Sequence, residues 1–353
     1  MPISAADSIN FALEHTKQQL FRPFRIAQWT KLAFVGLLAG ELGANGCNRS
    51  TFQIPHHPVA APHLAIPGSL GINPAFLAAF IVFAILASVA IGIVLMYVGS
   101  VMRFILFDSV VERECHIRAD WNRRLASGWR YFVWKLIYFF LMMSAIVAVL
   151  AIPFAYAFSA GWLRDPRAHL LPLISAGVVC FVVIVALMVG SAVVLVLTKD
   201  FVIPQMALEG IDAMEGWRRL WQMMKADAGG YAAYIAMKIV LAIVVGVLLS
   251  IAAIVLGIMI ALPSVGLGLV AVLSGKAAGL TWTPGTIALA VTVGCFLIAV
   301  FLYLVSLVAV PAIVFFPAYS IYFFASRYPR LSAALRSDNA APNLPPGAAP
   351  APA

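Results

Sequence analysis

Five apolar runs dominate the chain, at about 75–102, 133–160, 170–198, 232–262 and 285–310. Each exceeds the roughly 20 residues that an α-helix needs to cross a hydrocarbon core about 30 Å thick. None alternates with period two, so helices are expected and a β-barrel is not. A further run, about 26–44, is weaker because it carries Gln28, Lys31 and Glu41. Lys31 can reach one surface along its aliphatic stem and Glu41 stands near the other end, so this run is counted as a span. The apolar piece 311–329 is broken by Pro311 and Pro317 and reads as a kinked extension of the last span, to about 326, entering the cytoplasmic interface.

The polar positions between these runs carry their own pattern. "RADWNRRLASGWRYFVWKL" (118–136) packs arginine and tryptophan together, and "EGWRRLWQMMKADAGGYAAYIAMKI" (215–239) partly repeats it. At about 100° per residue, Trp121, Leu125, Trp129 and Phe132 share one helical face, opposite Arg123 and Arg130. In the second stretch Trp217, Leu220, Trp221 and Met224 cluster away from Arg218, Arg219 and Gln222, and Asp212 with Glu215 supplies an N-cap pair. Both read as amphipathic helices lying in the membrane interface. "WTKLAF", "VWKLIY" and "AMKIVL" place Lys31, Lys135 and Lys238 at 104- and 103-residue spacing. The ends of the even helices share "LFDSVV" at 106, "VIPQMA" at 202 and "FFPAYS" at 315.

This pattern predicts an all-α integral membrane protein with six transmembrane helices, built as three tandem hairpins. Each hairpin follows an interfacial amphipathic cytoplasmic helix, "INFALEHTKQQL" serving the first. Residues 1–336 form one membrane domain, with units at about 1–107, 108–203 and 204–330. Outside, 45–73 is expected to be irregular and 263–284 to lie on the membrane or dip into it. The Pro/Ala-rich tail 337–353 is expected to be disordered.

Charge adds an orientation. Only 10% of residues are charged, 63% are apolar, and the net charge is +9; mean hydropathy is +1.00. Nineteen of the 23 lysines and arginines fall in segments on one side of the spans, and only Arg49, Arg164, Arg167 and Lys276 fall on the other. The excess places both termini in the cytoplasm. Basic residues flank apolar runs instead of forming one basic domain, so nucleic acid is not an expected partner. The N-terminal stretch has no apolar core of a cleavable signal, and "KLAFVGLLAGELGANGC" makes a poor lipoprotein signal ending at Cys47.

Candidate chemistry is sparse. His56, His57 and His63, with Cys47 the nearest other ligand, read as an ordinary loop, so no metal and no cofactor are expected. Glu41 is a possible intramembrane site facing the bundle interior; set against that, it reads as a carboxylate emerging at the outer surface beside Gly43 and Asn45. Asp108 and Asp200 are expected to pair with nearby Arg103 and Lys199 and anchor the elbows, the basic, tryptophan-bearing amphipathic stretches that lead into the spans. No HExxH, GxSxG or Walker motif occurs, nor a pair of intramembrane acids.

"QLFRPFRIAQWTKLAFVGLLAGELG", "SVMRFILFDSVVE", "TKDFVIPQMALEGIDAMEGWRRLW" and "VPAIVFFPAYSIYFF" resemble a family of bacterial multi-pass membrane proteins of unknown function, across nearly the whole chain. The hairpin followed by "ALEGIDAMEGWRRLW" is more distantly similar to the membrane domain attached to bacterial glycerophosphodiester phosphodiesterases. This resemblance implies the bacterial inner membrane and an architecture, with no catalytic residues to carry over.

The expectation is therefore a non-enzymatic membrane scaffold or accessory protein gripping anionic lipid through Trp121, Arg123, Arg124, Trp129, Trp217, Arg218, Arg219 and Trp221. A protein partner or a second copy of the chain is a further expected contact. Transport of a small or lipidic solute through a path containing Glu41 is the alternative, and a membrane-embedded lipid enzyme ranks last.

Overall fold

The computed structural model describes residues 4–22, 24–41, 74–162, 167–277 and 284–340, and among them it is entirely helical apart from turns. In chain order the helices are α1 (Asp7–Phe21), α2 (Ile26–Leu38), α3 (Pro74–Val111), α4 (Ile117–Ser159) and α5 (Leu170–Leu197). A π-helical turn (Thr198–Val202) leads into α6 (Ile203–Glu209), then α7 (Ala213–Ala226), α8 (Ala228–Ala277), α9 (Pro284–Val308), α10 (Val310–Ala325) and α11 (Pro329–Ala340). Five of these stretches are long and apolar enough to cross a membrane: Ala78–Val111, Ile117–Ser159, Leu170–Glu209, Ala228–Gly275 and Gly285–Val308.

Those stretches behave in two ways along their length. Their middle portions bury nothing inside the protein: Phe83, Leu86, Phe140, Phe154, Phe181 and Ile254 are all more than half exposed. Apolar surface left out in this way needs lipid around it, since water would penalise each side chain by about 1.5–3 kcal/mol. At one end the same helices enter a dense core. Phe104 on α3, Phe201 on the π-helical turn, Tyr231 and Tyr234 on α8, and Phe316, Tyr319, Phe323 and Phe324 on α10 are buried to under 2% exposure. Phe201 is the hub, with ring centroids 5.2 Å from Tyr231, 5.0 Å from Tyr234 and 5.2 Å from Phe324. Such aromatic pairs add roughly 0.5–1.5 kcal/mol each beyond the area they bury.

Backbones approach closely where glycines permit. α2 runs against α3, with Gly99 set so near Leu38 that an added Cβ would stand 2.7 Å from the Leu38 carbonyl oxygen. α4 lies on α3 through Gly128, where a Cβ would meet Val101 at 2.5 Å. α5 returns antiparallel to α4, and the Cys180 thiol reaches the Val149 carbonyl at 3.5 Å.

Several elements differ from the hydropathy reading. α2 is 13 residues, about 20 Å, too short for a 30 Å core. It buries Leu32, Ala33, Val35 and Gly36 inside the protein. Its composition matches a span because a protein interior and a bilayer select the same side chains. The piece 311–329 forms α10, which is buried at the centre of the core, and α11 then turns away by 118°. α8 continues through Pro263 to Ala277, so most of 263–284 is helix; membrane helices tolerate proline more readily than soluble ones. The surface stretch at 118–136 and the span after it are one unbroken helix, α4, whereas α7 and α8 are separated at Asp227. Helix α11 reaches Ala340, four residues into the tail expected to be disordered from 337. The outer segment 45–73, with Cys47, His56, His57 and His63, lies outside the described residues.

Candidate functional site

The π-helical turn gathers the charges. A π turn inserts one extra residue into the helical ladder and is frequent at functional sites. Here it presents Lys199 and Asp200 to different partners. Thr198 donates to the Val194 carbonyl (2.7 Å) and accepts the Trp217 indole N–H (3.0 Å), which fixes the turn against α7.

The Lys199 ammonium donates to Glu41 Oε2, and the Arg103 guanidinium donates to Glu41 Oε1 at 3.0 Å. Arg103 also bonds the Ala39 carbonyl. Gly40, at φ +78°, makes the left-handed turn that swings Glu41 off the end of α2. Asp200 accepts from the Lys238 ammonium on α8 and from the Tyr234 hydroxyl at 2.9 Å. Tyr234 in turn stacks on Tyr319 at 5.0 Å. The Tyr319 hydroxyl, buried, has no hydrogen-bond partner among the described residues.

Two carboxylates and three cations are thus enclosed together. Glu41 and Asp200 are 1% exposed, Lys238 11%, Lys199 12% and Arg103 13%. Charges taken this far from water persist only when paired and hydrogen-bonded, and each acid here has two donors. Beside them lies a cavity of about 20 Å³, lined also by Phe107, Pro204, Pro317 and Ser320, enough for one water.

Glu41 therefore does not emerge at the outer surface. It is the meeting point of α2, α3 and the π-helical turn. Asp108 and Asp200 do pair, but not with Arg103 and Lys199. Asp108 is gripped by Arg124, whose Nε and Nη2 donate to its two oxygens at 2.7 Å each, and by Arg123 at 3.0 Å. The third Arg124 donor reaches the Ala207 carbonyl at 2.6 Å, so this one guanidinium ties α3, α4 and α6 together.

The elbow residues divide into inward and outward sets. Arg124 and Trp217 face in, and Trp121 is partly buried against the core. Arg219 bonds Glu209 at 2.7 Å and Glu215 at 2.9 Å. That pairing holds the Glu215 carboxyl below its ordinary range and takes Glu215 away from capping α7. Asp212 stands at the N-cap position without a side-chain capping bond, and its carboxylate lies 3.4 Å from Arg130. Facing out are Trp129 (56% exposed), Trp221 (55%) and Arg218 (72%); Arg123 is half-exposed. Lys225 lies over the Trp221 ring at 5.6 Å.

A smaller buried network was not foreseen. His15 on α1 donates from Nε2 to the Val110 carbonyl (2.9 Å), and its Nδ1 accepts from the Tyr322 hydroxyl (3.1 Å). Burial, reinforced by the nearby Arg113 cation, pushes its pKa down to about 4. An amphipathic reading of α1 misses this because the buried stripe (Ser8, Ala12, His15, Gln19) is the polar one. Among the described residues no group of three His, Cys, Asp or Glu side chains could hold a metal ion.

Long lipid-facing helices over a compact core at one end define a multi-pass helical membrane protein. Residues 3–334 match a family of unknown function (DUF7544), and the chain belongs to that family. No curated protein and no solved structure matches it.

Proposed function

We propose that the protein is a non-enzymatic scaffold of the bacterial inner membrane, with its core and both termini on the cytoplasmic side. It holds anionic lipid around the core through outward elbow residues. The observation that carries this is the exposure of Trp129, Trp221, Arg218 and Lys225 on the outside of the core. Tryptophan and basic side chains in that position match the headgroup layer of an anionic leaflet, each basic group contributing about 1 kcal/mol. Arg124, Arg219 and Trp217 act in this reading as internal braces that set the elbows in place.

Brominated lipids test it. In nanodiscs, tryptophan fluorescence should be quenched more by brominated phosphatidylglycerol than by brominated phosphatidylcholine. The double substitution Arg218→Gln, Lys225→Gln should erase the difference, and equal quenching in the unsubstituted protein rejects the reading.

One observation favours transport as a second reading: the ionic cluster adjoins a cavity with Pro204 and Pro317 in its wall. A Glu41-dependent proton flux into liposomes would move the assignment to transport.

A further inference from the structure

Of the three lysines that recur at 104- and 103-residue spacing, two are engaged. Lys31 donates to the Cys115 carbonyl at 3.4 Å and Lys238 to Asp200. Lys135 is half-buried and has no hydrogen-bond or ion-pair partner among the described residues. An ammonium so placed is poorly satisfied without an anion.

An apolar groove lies next to it. Tyr138 and Met142 on α4, with Val183, Ala186, Leu187 and Gly190 on α5, line a groove of about 400 Å³. Lys135, Tyr138 and Met142 fall at i, i+3 and i+7, one stripe of α4. The lysine therefore stands at the end of the groove nearest the core, about 4.5 Å along the helix axis from Tyr138. The groove lies in the lipid-facing part of both helices, where Phe140, Val182 and Val189 are more than half exposed.

We infer that α4 and α5 hold one anionic phospholipid, its phosphate on the Lys135 ammonium and an acyl chain in the groove. The two halves suit one molecule: an uncompensated cation at headgroup depth and a greasy slot leading away from it into the bilayer. The inference rests on the lipid-holding reading above but uses a different place, since neither Lys135 nor the groove belongs to the exposed elbow set.

Native mass spectrometry tests it on the full chain, reconstituted with equal phosphatidylglycerol and phosphatidylcholine and then extracted gently. The expected result is one phosphatidylglycerol retained per chain. Lys135→Gln should lower the preference for phosphatidylglycerol about fivefold, and Lys135→Arg should restore it. Ala186→Phe, which fills the groove, should abolish retention of either lipid while circular dichroism stays helical. Absence of a stoichiometric lipid, or a lipid indifferent to both Lys135→Gln and Ala186→Phe, overturns the inference. Arg218→Gln, Lys225→Gln separates the two ideas: it should lose the quenching difference and keep the bound lipid.

Discussion

Removing one charge from the ionic cluster gives a measurable quantity. Glu41→Gln leaves the side-chain volume nearly unchanged and takes away the carboxylate that Lys199 and Arg103 share. Both cations are almost enclosed, at 12% and 13% exposure, so neither can turn to water. Breaking a buried pair by deleting one partner costs about 3–5 kcal/mol, most of it the stranded charge. At roughly 2–4 °C per kcal/mol for a core of this size, the melting point should fall by roughly 10 °C. Lys199→Met alone should also destabilise, because Glu41 keeps only Arg103. The double variant should recover at least about 2 kcal/mol relative to the sum of the singles, since the groups touch. Intrinsic fluorescence during a thermal ramp in detergent is a suitable assay, with Trp217 reporting directly through its bond to Thr198. A Glu41→Gln protein melting within 2 °C of the parent, or singles that add without coupling, would refute the argument.

Three other expectations follow from the same physics. His15 is neutral in the folded state with a pKa of about 4 against 6.5 unfolded; the unfolded chain takes up the proton first as pH falls. Stability should therefore drop between pH 6.5 and 4 by up to about 3 kcal/mol, a slope that His15→Gln should flatten in pH-dependent melting. Gly99→Ala places a methyl 2.7 Å from the Leu38 carbonyl oxygen and should cost about 1–3 kcal/mol by thermal unfolding, whereas Gly92→Ala meets nothing within 4 Å and should be neutral. Arg124→Gln should cost about 3 kcal/mol, while Arg123→Gln, half-exposed, should cost no more than about 1.

Much of the architecture was legible in the sequence. The five long apolar runs are helices of spanning length, because only uninterrupted hydrophobicity satisfies a backbone in lipid. The face of α7 was legible only in part: Trp217, Leu220 and Met224 pack against the core instead of lying in the interface, and Trp221, expected beside them, is exposed like Arg218 and Gln222. Depth was not legible. "AIVFFPAYSIYFF" and one face of "KLAFVGLL" read as membrane pieces yet are buried in the core, since hydropathy does not distinguish lipid from protein interior. The charged site was legible only as a set of residues. Glu41 and Lys199 are 158 positions apart, and nothing local to either one names the other. Asp108 took its partners from about two turns along the next helix, past the nearer Arg103, because the Arg124 fork offers two parallel bonds.

Helix α8 carries one more implication. From Ile239 to Leu273 it holds no charged side chain, a length of about 52 Å against a hydrocarbon slab of about 30 Å. A rod that long must lean or bend at Pro263 to keep its sides in oil, and the lean steepens as the bilayer thins. Lys238 sits at the foot of that rod, bonded to Asp200. A change in lipid chain length that alters this lean should be felt first at the foot of α8, in the Lys238–Asp200 pair.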